Sequence, residues 1–60
     1  MNAAATIPRE VLEALRAFRA ANGRNWKSAL LRDWDSGKDS GALRVARNIL
    51  GPSGLLRVKL

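Results

Sequence analysis

The chain has 60 residues, with 11 lysines and arginines against 5 aspartates and glutamates, for a formal net charge of +6. One domain fills that length, and so short a chain buries only about 60% of the surface its unfolded form exposes. Cysteine and histidine are both absent, which excludes disulfides, thiolate metal sites and the commonest general base together.

The first six residues, MNAAAT, lack the basic start and apolar middle of an export signal and read as a flexible tail. No apolar run approaches the roughly 20 residues needed to cross a bilayer. A cytoplasmic protein without a membrane segment is expected.

The spacing predicts a first helix near residues 8–21. Val11, Leu15 and Phe18, with Leu12 beside them, form an apolar stripe. Pro8 suits the first turn, with Thr6 or Ile7 ahead of it as cap. Glu13 and Arg16 are spaced to pair. Asn22 and Gly23 supply residues that tolerate the left-handed conformation ending a helix.

A second helix is predicted near 25–36, with Asn25 as cap and Trp26, Leu30 and Trp34 at steps of four. A tiny core accommodates one indole more easily than two. Trp26 and Leu30 are therefore expected inside, and Trp34 nearer the rim, free to stack on a base or fill a partner's pocket. Asp33 and Asp35 fall at the C-terminal end, where the helix dipole disfavours negative charge, so Arg32 or Lys38 is the expected offset.

A third helix is predicted near 40–50, capped by Asp39 or Ser40 and stopped by Gly51-Pro52. Ala42, Leu43, Ala46, Ile49 and Leu50 face inward, while Arg44, Arg47 and Asn48 project outward together. Gly51 to Gly54 reads as a type I turn. In residues 55–60, Leu56, Val58 and Leu60 alternate with Leu55, Arg57 and Lys59, the period of a half-buried strand. Such a segment either crosses the helices as an extended tail or pairs with its copy in a homodimer. The expected fold is all-α: one domain of three helices around Leu12, Leu15, Phe18, Trp26, Leu30, Ala46 and Ile49, with an extended C-terminal tail or single short strand.

Enzyme activity is not expected. The serines have no histidine to activate them, and no phosphate loop, metal-ligand spacing or cofactor motif is present. Asp33 and Asp35, at i and i+2, point apart on a helix and do not make an acid pair. The positive charge is uneven. Residues 38–60 carry Lys38, Arg44, Arg47, Arg57 and Lys59 against Asp39 alone, whereas 1–19 and 20–37 each have one excess cation. A field of that sign attracts polyanions.

Gly23-Arg24-x-Trp26-Lys27 with Leu30, followed by Arg47-Asn48-x-x-Gly51-Pro52-Ser53, resembles small uncharacterised proteins encoded on proteobacterial plasmids and prophages. The resemblance spans most of residues 11–60. It departs where those proteins have an aromatic residue after Gly-Pro-Ser and this chain has Gly54. It implies a mobile-element setting, where small proteins tend to be DNA-binding regulators or inhibitors of host machinery.

Two functions are left open. In one, the protein binds nucleic acid through a helix-turn-helix-like arrangement. Ser40, Arg44, Arg47 and Asn48 would face a groove and Lys38, Arg57 and Lys59 would meet phosphates, with backbone binding better supported than base reading. In the other, it binds protein, anchoring an acidic partner or a second copy through Trp34, Leu56, Val58 and Leu60.

Overall fold

The computed structural model describes residues 7–60, and its helical residues fall into two continuous stretches, 9–36 and 42–57. The expected tail over residues 1–6, and Thr6 as a cap, lie outside the described residues. The all-α class is as expected, but three helices set apart by loops are not what the chain forms. Residues 9–36 run on as α1 (Arg9–Asn22), a one-turn 3-10 segment (Gly23–Asn25) and α2 (Trp26–Ser36). The second stretch, α3 (Ala42–Arg57), bends sharply at Gly51.

Two glycines make these corners. Gly23 (φ 74°, ψ −153°) and Gly51 (φ 67°, ψ 177°) combine a positive φ with an extended ψ, a region occupied essentially by glycine alone. The chain thereby changes direction between helical residues within a single step, which is why α1 reaches α2 without a loop. Pro52 follows Gly51 as the first residue of the new turn, where its missing N–H is no loss. The expected type I turn over 51–54 is therefore a resumed helix. At the end of α2, the amide of Lys38 donates to Asp33 O at 2.9 Å and that of Gly37 to Trp34 O at 3.3 Å. This is the paired-bond ending that left-handed Gly37 permits.

None of the three helices is capped by a side chain at its N-terminus. Pro8 lies one residue ahead of α1, and its carbonyl accepts from Leu12 at 3.0 Å. Asn25 is absorbed in the 3-10 turn, and Gly41 takes the place ahead of α3 that Asp39 or Ser40 was expected to fill. The Glu13–Arg16 pair is not formed, nor is any ion pair to Asp33 or Asp35. The single ion pair among the described residues joins Arg44 to Asp39.

Val11 and Leu15 of α1, Trp26, Leu30 and Trp34 of α2, Ala46 and Leu55 of α3, and Val58 beyond it form the core. The expected core changes at its edges: Leu12 and Phe18 are half-buried and Ile49 is exposed. The corner at Gly51 explains the gains. Nine residues of unbroken helix would turn Leu55 about 180° away from Ala46, yet both are fully buried. Breaking the helix resets its phase, so Leu55 and Val58 both face the core.

The strand-like alternation of the tail is overturned by the same fact. Residues 55–57 are helical, Leu55 and Val58 are inside, Leu56 is outside, and only 58–60 lie beyond the helix. The two readings give opposite orders of stability. Leu55→Ala should cost about 2–5 kcal/mol in urea unfolding, as other buried leucines do, and Leu56→Ala less than about 0.5 kcal/mol. The reverse order would restore the alternating tail.

Candidate functional site

The C-terminal end is held by cations from the first two helices. Lys27 Nζ donates to the carbonyls of Leu56 and Val58, both at 3.0 Å. Its ammonium also lies 5.6 Å from the centre of the Trp26 ring, within cation–π range. Arg19 Nη1 donates to Leu60 O at 3.2 Å. A positive charge at the end of α3 satisfies carbonyls that have no helical partner and complements the dipole. Sequence reasoning missed this latch, because Lys27 reads as one more solvated cation.

The residues proposed as a partner anchor are scattered. Trp34 is buried, not at the rim, and its indole N–H donates to Leu43 O at 3.1 Å. That hydrogen bond lets a polar ring sit inside. Val58 is in the core of its own chain and Leu60 is half-buried against it. Leu56 alone is free, 59% exposed. The argument for a dimer through an unpaired tail lapses with that burial. A stacking role for the aromatics lapses too, since Trp26 and Trp34 are buried and Phe18 packs half-buried against the core.

The residues proposed for nucleic acid fare differently. Lys38, Ser40, Arg44, Arg47, Asn48, Arg57 and Lys59 are all exposed. Ser40 accepts the Leu43 amide at its carbonyl, 3.2 Å away, and Lys38 lies beyond the end of α2. Their segment, residues 37–41, makes a five-residue connection from α2 to α3, longer than the usual helix-turn-helix turn.

Residues 42–50 of α3 form its straight part, and Ala46 marks the direction of the core. At about 100° per residue, Arg44 and Asn48 stand nearly opposite Ala46, with Arg47 on one flank and Val45 and Ile49 on the other. Val45 is 44% and Ile49 40% exposed. Ile49 was expected inside. Its phase, at the edge of the arc holding Ala42, Leu43, Ala46 and Leu50, was the signal available. The corner at Gly51 takes Arg57 out of this register, so only Arg44, Arg47 and Asn48 are brought together by helical spacing.

The α3 sequence contains no carboxylate. The nearest acidic residue in sequence, Asp39, is turned inward. Its side chain is 0% exposed, neither carboxylate oxygen has a hydrogen bond, and Arg44 Nε stands 3.6 Å from Oδ2. Arg44 Nη2 also reaches the Asp39 carbonyl at 3.5 Å, a long contact. A buried carboxylate is costly without a compensating charge, so Arg44 serves the fold as well as the surface. Nothing in the polar stretch GKDSG forecasts this burial.

No group of three or more acidic ligands that could hold a metal, and no helix long and apolar enough to cross a membrane, occurs among the described residues. The chain matches no family model, no curated protein and no solved structure.

The Asp39–Arg44 contact makes a double-mutant cycle informative. Arg44→Ala should destabilise the fold by about 1–2 kcal/mol, by leaving Asp39 buried and uncompensated. Asp39→Asn together with Arg44→Ala should lose less than the two single losses added, a coupling of about 1 kcal/mol in chemical denaturation. Strict additivity would mean that the pair is incidental.

Proposed function

We propose that this protein is a small non-enzymatic module that holds the sugar–phosphate backbone of nucleic acid against the outer face of α3. The observation that carries this reading is the charge of α3. It has Arg44 and Arg47 exposed on its straight part, Arg57 exposed beyond the corner, and no acidic residue, while the neighbouring carboxylate of Asp39 is buried. The other helices are nearly balanced, α1 with three arginines against two glutamates and α2 with Lys27 and Arg32 against Asp33 and Asp35. A one-signed face of guanidinium groups suits phosphate, which arginine binds with paired N–H donors. Lys38 and Lys59 add charge at either end.

The mobile-element setting implied by the sequence resemblance, in the cytoplasm of the host, suits a protein that acts on nucleic acid. An acidic protein surface is the alternative partner. It is less well supported, because Leu56 is the only proposed anchor still exposed.

Backbone binding makes a quantitative expectation. Arg47→Ala and Arg57→Ala, neither involved in the Asp39 contact, should weaken binding to unrelated sequences alike. Each should also lower the slope of log affinity against log salt by about 1, one phosphate contact's worth of released counterion. Fluorescence anisotropy at several salt concentrations measures both. No salt-dependent affinity for DNA or RNA at low ionic strength would refute the reading.

A further inference from the structure

We infer that the straight part of α3 reads A·T base pairs in the major groove of duplex DNA, with Asn48 on adenine and Val45 and Ile49 against thymine methyl groups. The inference rests on the nucleic-acid reading above and names its substrate.

Three observations carry it. The first concerns strandedness. Single strands are gripped by stacking bases on exposed aromatic rings. The chain's three aromatic residues are Trp26, Trp34 and Phe18, two of them buried and the third packed against the core. No stacking platform is left. Duplex RNA is unsuitable for another reason, since its major groove is too deep and narrow for side chains to read.

The second observation is the apolar flank. Backbone binding needs only cations, yet Val45 and Ile49 stand exposed one turn apart on the flank opposite Arg47, next to Asn48. The thymine 5-methyl is the apolar group a DNA duplex offers at base level, and it lies in the major groove. A second copy of the chain is a poor occupant of this flank. Two side chains fall far short of the roughly 800 Å² per partner of a stable interface, and facing α3 helices would bring arginines together.

The third observation is the crest. Asn48 projects almost directly away from Ala46 and is exposed, and its amide can give and accept one hydrogen bond each at adenine N6 and N7. Nine residues of helix span about 13 Å and measure about 10–12 Å across, a fit to a groove about 12 Å wide. Arg44 shares the crest with Asn48, and Arg47 stands on the flank opposite Val45 and Ile49, towards the phosphates that line the groove. Beyond residue 50 the corner at Gly51 turns the chain back to the core.

The test selects sites from a randomised duplex pool with the full chain at low salt, then measures anisotropy on the recovered sequences. A motif containing A·T pairs should be enriched. Replacing its thymines with uracil should weaken binding about fourfold per methyl lost. Asn48→Ala should weaken the selected site about tenfold or more, as loss of one bidentate base contact does, and random duplex by a much smaller factor. Val45→Ser or Ile49→Ser should remove the uracil penalty, and thermal melting checks that each variant folds. Salt-dependent binding without an enriched motif, or a preference for single strands, overturns base reading and leaves backbone binding standing. Failure to bind any nucleic acid, with capture of an acidic helical peptide instead, overturns both.

Discussion

The backbone at Gly51 is the constraint on which the remaining packing rests. Only a residue without Cβ adopts its angles at little cost, and any side chain there is strained by about 1–3 kcal/mol. A domain of this size has a total stability of about 3–9 kcal/mol, so that strain is a large share of it. Without the corner, Leu55 would face away from Ala46, Val58 would lose its place, and the carbonyls that Lys27 caps would lie elsewhere. Leu15, Leu30 and Leu55, one from each helix, are all fully buried. Removing the third would leave a two-helix face open to water.

The cations are divided by task. Lys27 and Arg19 turn to carbonyls at the end of the chain, Arg44 is shared between Asp39 and solvent, and Arg47 and Arg57 face outward. Net charge alone hides this division. Lys27 satisfies carbonyls at the end of α3 and Arg19 donates to Leu60 O beyond it, so both direct donors to the chain's own backbone. The outward ones lie on the one helix without an acid, so the surface potential is concentrated there.

Much of the fold was legible in the sequence. Trp26, Leu30 and Trp34 at steps of four, and Val11 and Leu15 on the first helix, gave the correct faces, because local periodicity survives into the packed state. The errors cluster where local signals compete with packing. Gly51-Pro52 is a valid stop signal, but proline also opens a helix, and only the need to bury Leu55 decides between them. Side-chain volume alone places Trp34 at the rim, and its hydrogen bond to Leu43 O is what lets it sit inside. The outer face of α3 was legible in Arg44, Arg47 and Asn48. Its apolar flank was not, since an isoleucine at the edge of an inward arc reads as core.

The latches on the C-terminal turn also bear on the order in which the molecule assembles. Trp34 and Leu43 are 9 positions apart, whereas Lys27 reaches across 29 and 31 positions and Arg19 across 41. Closing longer loops costs more entropy, and contacts distant in sequence form late. The helices up to Leu50 can therefore gather through short closures, with the turn after Gly51 joining last. Detaching that turn would uncover Leu55 and Val58 and release Lys27 and Arg19 from their acceptors together, so losing it and opening the core are one event. The last segment to join is thus also the one that closes the core, and amide exchange near Leu55 reports on the cooperative opening of all three helices.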